Sequence, residues 1–374
     1  MAKIRRILLI LTAFLIVFSE FLCELPKNYL LKASAQEAQY RKTFPRDFSN
    51  STAEIVIDKI SGRVLYSTNA DEKKYMASTT KILTAIVVIE NCDLNENVTV
   101  TEKTVGVEGS SVYLEKGEIL SVKDLLYGLM LRSGNDCAET LAIHCSGSIK
   151  DFAALMNKTA TKIGAKNSNF KNPHGLHDDE HYTTARDLAK ISAYCMKNPD
   201  FKEIVGTKEV DIPFTTRNTK RRLINKNKML KNFDGATGIK TGFTKKAGRC
   251  LVSSAERDGA EYICVTLNCP PMFERSSALL SQAFACYKPY KLAESDHIID
   301  FVDVENSEEK CPVCLKEDVI LPLTERERKN LKIIYDYPRT ISRNLKKDAK
   351  IGTIKILCEN TLLFEEKIYT IISN

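Results

Sequence analysis

The chain is predicted to be an α+β protein, an antiparallel sheet packed with a helical cluster, followed by a small C-terminal all-β domain. Three observations predict this. Strand-like alternation occurs early in the chain and returns after Gly238. Helix-like periodicity fills the middle. Beyond Pro289 only strand-like runs between polar turns recur. Strands from both ends of a domain with helices between them argue against regular β-α alternation, and so against a parallel doubly wound sheet.

The elements follow in order. Residues 1–35 read as an export signal. Lys3, Arg5 and Arg6 form a positive n-region, Ile7 to Phe18 an apolar stretch, and Ala33-Ser34-Ala35 a small-residue cleavage site. The apolar stretch is short for a membrane-spanning helix, which needs about 20 residues. An uncleaved N-terminal anchor is the competing reading. Leu22 before Cys23 argues against lipid attachment there. Residues 36–50 are polar and read as a linker. Ala53–Asp58 and Val64–Tyr66 form a hairpin around Ser61-Gly62. Ser78–Asn91, Val122–Leu131, Asp136–Cys145, Lys150–Ile163 and Ala185–Met196 carry helical periodicity. Gly238–Thr244, Gly248–Glu256 and Glu261–Asn268 read as strands, and Glu274–Tyr287 as a closing helix. In the tail, His297–Val304, Val313–Leu323, Leu331–Tyr337, Ile351–Cys358 and Leu362–Ile372 read as strands. The domain plan is therefore a signal over 1–35, a linker over 36–50, a main domain over 51–288 and a β-rich domain over 289–374.

Composition narrows the class. Hydrophobic residues make up 43% and charged residues 28% of the 374, enough apolar material for a core without disulfide staples. The net charge of +7 includes +3 from residues 1–35. The remainder is mildly basic and spread out, which does not point to nucleic acid. Eleven of the twelve Cys follow Ala35, an odd number at irregular spacing, so they do not form a disulfide framework.

Ser78-Thr79-Thr80-Lys81 opens an apolar helix, where residues three apart share a face. Lys81 can thus reach the Ser78 hydroxyl, and a serine needs such a base to become a nucleophile. A lysine serves as base only when burial or a nearby cation lowers its pKa. Alone the motif is weak, because Ser168–Lys171 and Ser307–Lys310 repeat it by chance. Its strength comes from Ser133-Gly134-Asn135 at a turn between helices and Lys240-Thr241-Gly242 on a strand, in that order. Ordered elements of this kind mark penicillin-binding proteins and class A β-lactamases.

On these residues, and on Asn172–Leu176, Tyr182–Asp187 and Asp234–Thr244, the chain resembles the low-molecular-weight penicillin-binding proteins. These are the serine D-Ala-D-Ala carboxypeptidases of the peptidase S11 family. The resemblance covers roughly residues 45–290 and, more loosely, the β tail. It implies the penicillin-binding protein and β-lactamase-like transpeptidase fold and a division of labour. Ser78 would attack the carbonyl between two D-alanines, and Lys81 would take its proton. Ser133 would relay a proton to the leaving amine, aided by Lys240. Asn135 would hold the substrate amide. Lys240 and Thr241 would bind the terminal carboxylate, with Arg275 as a further carboxylate ligand. Backbone N–H groups of Ser78 and Phe243, the residue after Gly242, would form the oxyanion hole. Where the family often has His, this chain has Phe243, which puts tuning by that side chain in doubt but keeps the backbone donor. The implied partners are the peptidoglycan stem peptide and β-lactam inhibitors. No metal or cofactor is implied. The location would be outside the cytoplasm, secreted or at the outer face of the membrane, with any attachment through the N-terminus.

Rival readings are weaker. No Glu-x-x-Leu-Asn element for a β-lactamase lies between the second and third motifs. A binding protein without activity would have lost Ser78, Lys81 or Lys240. His174, His177, Asp178, Asp179, Glu180 and His181 cluster like metal ligands, but their spacing matches no zinc site and a solvated loop is expected. Cys311-Pro312-Val313-Cys314 lacks a second pair for zinc and a βαβ context for redox chemistry. A local disulfide or two free thiols on a hairpin is expected there. Whether the acyl group passes to water or to an amine is not legible in the sequence.

Overall fold

The computed structural model describes residues 52–371, apart from Asp296 and Lys347. The predicted signal, the linker and the final residues 372–374 lie outside the described residues.

Two strands open the fold, β1 (Ala53–Asp58) and β2 (Val64–Thr68), with Gly62 in the left-handed conformation between them. A single 3₁₀ turn over Ala77–Thr80 leads into α1 (Lys81–Asn91). A short antiparallel pair follows, β3 (Asn97–Thr99) with β4 (Ile119–Ser121). The helical cluster continues with α2 (Val122–Leu131), α3 (Asn135–Ser146), α4 (Ile149–Ile163), α5 (Ala185–Cys195) and α6 (Pro199–Gly206). Its starts obey capping chemistry. Ser121 closes a capping box with Asp124, and Ser148, Thr184 and Asn198 each accept a backbone N–H at N3. Gly147 and Gly164, both left-handed, end α3 and α4.

A second hairpin, β5 (Glu209–Phe214) with β6 (Thr219–Ile224), was not expected from the sequence. Lys220, Arg221 and Arg222 follow one another in β6, so basic residues fall on both faces and hide the alternation. The sheet is completed by β7 (Ala236–Thr244), β8 (Gly248–Arg257) and β9 (Ala260–Leu267) in the order β2-β1-β9-β8-β7, antiparallel throughout. Ile55 and Ile57 face the helices and join one continuous core with α1 residues Ile82, Leu83, Ile86 and Val87. Glu54 and Val56 alternate to the opposite face, where α7 (Met272–Cys286) packs. β7 is an edge strand, so one row of its backbone groups has no strand partner.

The tail is all-β apart from one short helix. It contains β10 (Lys288–Ala293), β11 (Asp300–Val304), β12 (Lys310–Cys314) and β13 (Val319–Leu323). After α8 (Glu325–Lys329) come β14 (Leu331–Asp336), β15 (Thr340–Ile341), β16 (Lys350–Cys358) and β17 (Thr361–Thr370). β10 pairs with β13, and the others form a six-stranded sheet of order β14-β16-β17-β12-β11-β15, mixed because β11 and β15 run parallel. The run Val313–Leu323, expected as one strand, is two. The turn between them carries Asp318, whose carboxylate accepts from the Ser295 N–H and hydroxyl. Cys311 and Cys314 both lie on β12, outside any disulfide. Arg63, buried at the β1–β2 turn, donates to the Pro322 carbonyl and pairs with Glu327 of α8, which ties the tail to the sheet.

Candidate active site

The site is assembled where α1, the α2–α3 turn and edge strand β7 meet. α1 is fixed because its apolar face is in the core, and this holds the turn that precedes it. The bond geometry of that turn is demanding. Ala77 sits at φ 48°, and Gly175 approaches so closely that a Cβ there would lie 1.9 Å from the Ala77 carbonyl oxygen. Gly175 itself is at φ +88°, so this contact requires glycine twice over. On the other side, a Cβ on Gly242 would lie 3.1 Å from the Ser78 backbone nitrogen. The glycine of Lys-Thr-Gly thus lets β7 run directly against the Ser78 turn.

Lys81 is fully buried. Its Nζ stands 2.7 Å from Asn135 Oδ1, 2.7 Å from the His174 carbonyl oxygen and 3.2 Å from Ser78 Oγ. Burial, and then the charge of Lys240, hold the amine well below the usual lysine range. A neutral amine has two hydrogens and one lone pair. Asn135 Oδ1 and the His174 carbonyl accept the two hydrogens, which leaves the lone pair for the Ser78 hydroxyl proton. The Asn135 amide is oriented by its other end, where Nδ2 donates to the Glu108 carbonyl at 2.5 Å.

Ser133 occupies the turn between α2 and α3 in the left-handed conformation, φ 65°, and is nearly fully buried. The neighbouring Asp136 carboxylate gathers the preceding loop. It accepts from the Ser111 hydroxyl and from the Val112, Leu114 and Cys137 N–H groups. Asn135 N–H donates to the Ser110 carbonyl at 2.7 Å, which closes that loop over the site.

Lys240 is buried on β7 and donates to the Thr241 carbonyl at 2.9 Å. Burial, aided by the charge of Lys226, brings its pKa down to about 7. Thr241 and Gly242 continue the strand past Ser78. The Phe243 side chain is 59% exposed and stacks near the Arg249 guanidinium, so only its backbone faces the site.

Arg275 corrects the sequence reading. It was expected at the substrate carboxylate, but its side chain is 0% exposed on the opposite face of the sheet. Nε and Nη2 bind Glu54 at 2.7 and 2.6 Å, and Nη2 also donates to Tyr66 Oη. A guanidinium taken out of water requires such a partner, and it does not reach Ser78.

The histidine loop also differs from expectation. His177, Asp179 and Glu180 are exposed, as a solvated loop requires, but His174 and His181 are buried. His181 Nδ1 accepts from the Lys171 N–H, so Nε2 carries the proton and donates to Thr80 Oγ1 at 2.8 Å. Thr80 in turn donates to the Ala77 carbonyl. Burial brings His181 down to about 4, so this neutral tautomer persists at neutral pH and steadies the Ser78 turn. His174 Nε2 lies 3.3 Å from Glu139. Among the described residues no cluster of His, Cys, Asp or Glu is arranged to hold a metal.

Lys226 was missed. It follows β6 in a polar stretch with nothing local to distinguish it. Its Nζ donates to Ser110 Oγ at 3.1 Å and its backbone N–H to the Leu131 carbonyl, beside the Ser133 turn. Its signal is tertiary, a cation brought to the rim by the β5–β6 hairpin.

Comparison with known proteins accords with this arrangement. The family profile described as D-alanyl-D-alanine carboxypeptidase matches residues 40–270, and that of the penicillin-binding protein 5 C-terminal domain matches residues 287–371. The chain is 30% identical over 326 residues to the D-alanyl-D-alanine carboxypeptidase DacF of Bacillus subtilis, covering 84% of this chain and 83% of that one. It is 34% identical to DacA of Haemophilus influenzae over 70% of this chain and 68% of the other. Among solved structures, penicillin-binding protein 5 of Haemophilus influenzae superposes with a TM-score of 0.77 at 27% identity, covering 87% of this chain and 97% of that one. The Streptomyces K15 DD-transpeptidase superposes at 0.61 with 32% identity, over 65% and 99%. The chain belongs to the D-alanyl-D-alanine carboxypeptidase family, the S11 serine peptidases.

Proposed function

We propose that this hydrolase removes the terminal D-alanine from peptidoglycan peptides through an acyl-enzyme on Ser78. The observation that carries the reading is the buried Lys81 amine, its Nζ 2.7 Å from both Asn135 Oδ1 and the His174 carbonyl oxygen and 3.2 Å from Ser78 Oγ. Ser78 Oγ attacks the carbonyl between the two D-alanines as Lys81 takes its proton. The Ser78 and Phe243 N–H groups hold the oxyanion. The proton reaches the leaving amine through Ser133, with Lys240 beside it, and free D-alanine departs. Water then cleaves the ester by the reverse path. One Asn135 Nδ2 hydrogen is engaged by Glu108, and the second holds the substrate amide carbonyl. Lys240 and Thr241 receive the terminal carboxylate. The substrate lies along the open edge of β7 as an added strand.

The proposed organisation is a signal over residues 1–35, a linker over 36–50, the catalytic domain over 51–288 and the β-rich domain over 289–374. The protein is exported and works on the wall, with β-lactams as inhibitors and any membrane association through its N-terminus. Among the described residues no helix is long and apolar enough to cross a membrane.

The test is release of D-alanine from a pentapeptide ending in D-Ala-D-Ala. The wild type liberates one D-alanine per peptide, and Ser78→Ala liberates none above background. Release that survives Ser78→Ala overturns the reading.

A further inference from the structure

We infer that a basic cavity at the far end of β7 is a subsite for a carboxylate on the donor peptide, upstream of the scissile bond. The inference rests on the carboxypeptidase reading and extends it to the part of the substrate that is not released.

The cavity has a volume of about 440 Å³ and lies between the Ser78 approach and the β7–β8 turn. Lys73, Lys74 and Tyr75 line it from the first side, Tyr182 and Asp179 from the histidine loop, and Lys246 from the turn. Its position follows from strand direction. β7 passes from Lys240 and Thr241, which take the terminal carboxylate, to Gly242 against the Ser78 nitrogen. It then runs through Phe243 and Thr244 into Lys245–Ala247. A peptide laid along this edge therefore has its leaving end at Thr241 and its upstream end at the turn. Lys246 stands in the 245–247 turn, past the end of β7 at Thr244 and therefore toward the upstream end of such a peptide.

The charges in the cavity are unbalanced. Lys74 is paired with Glu72 at 2.8 Å. Asp179 is engaged by Tyr75 Oη at 3.3 Å and His177 Nε2 at 3.2 Å. Lys73 lies 4.3 Å over the Tyr182 ring. Among the described residues no carboxylate pairs with Lys73 or Lys246. Two unpaired ammonium groups and two tyrosines around one hollow suit an anionic side chain with a short aliphatic stem, as in an acidic amino acid.

The experiment compares two probes, Ac-Glu-Ala-D-Ala-D-Ala and Ac-Gln-Ala-D-Ala-D-Ala, by D-alanine release at low ionic strength. One charge-assisted contact supplies a preference of about tenfold in kcat/KM for the Glu peptide. In the double variant Lys73→Met/Lys246→Met the preference falls to within about twofold, and in the wild type it shrinks as salt is raised. Formation of the benzylpenicillin adduct on Ser78 shows that the variant is folded. Equal rates for the two probes in the wild type overturn the subsite, and so does a preference that persists in the double variant. If neither probe releases D-alanine and benzylpenicillin leaves no adduct, the carboxypeptidase reading falls and the subsite with it.

Discussion

Lys81 Nζ and Asn135 Oδ1 stand 2.7 Å apart, although 54 residues separate them in the chain. In the proposed mechanism Asn135 does two things: it orients the base and offers its amide to the substrate. Asn135→Ala is expected to slow acylation by benzylpenicillin by about 10²-fold, the scale of a misplaced general base. Asn135→Asp places a carboxylate beside the amine and raises the Lys81 pKa. The acid limb of its acylation rate then moves to higher pH, which stopped-flow or timed mass measurements across pH would resolve. An unshifted limb would separate Asn135 from the base.

The activity profile should be bell-shaped. Lys81 must be neutral to accept a proton, so activity rises as pH passes its depressed pKa. Lys240 must keep its proton to meet the substrate carboxylate, so kcat/KM falls on the alkaline side near pH 7. Bound carboxylate raises the Lys240 pKa, so the alkaline limb of kcat lies above that of kcat/KM. Lys226 depresses Lys240 by its charge. Lys226→Met should move the alkaline limb of kcat/KM upward, measured as D-alanine release between pH 5 and 10.

Stability should fall on acidification because of His181. Its folded pKa of about 4 lies below the ordinary histidine value. Between these values the unfolded chain binds a proton that the folded protein does not. The stabilisation is complete above the ordinary value and is lost as pH falls toward 4, by about 1.4 kcal/mol per unit. Urea unfolding from pH 7 to pH 4.5 measures this slope. His181→Gln should flatten it.

Arg275 should matter to the fold and not to the chemistry. Arg275→Met leaves Glu54 buried and unpaired, which costs about 3–5 kcal/mol. Glu54→Leu/Arg275→Met removes both charges and should recover most of that loss. Calorimetry and benzylpenicillin acylation of the double variant check this. A stable double variant with acylation lost would return Arg275 to the substrate.

The motifs of the candidate site were legible because each is local. Ser78 and Lys81 share a helix face, Ser133 and Asn135 sit in one turn, and Lys240 lies on a strand of clear alternation. What escaped depends on long-range packing. The Glu54 that captures Arg275 lies 221 residues away. Lys226 reaches the rim through the β5–β6 hairpin, whose run of consecutive basic residues concealed its period. His181 sits in an acidic run that reads as solvated, and only the fold shows its ring turned inward to Thr80. The turn within Val313–Leu323 did have a local signal, the charged run Lys316-Glu317-Asp318 between two apolar stretches.

The central claim is that Ser78 is the acylated residue. Its most direct test is intact-mass analysis of the protein after benzylpenicillin, with the adduct mapped by proteolysis. One adduct per chain is expected on the peptide containing Ser78, absent in Ser78→Ala. An adduct that persists in Ser78→Ala, or none on the wild type, would contradict it.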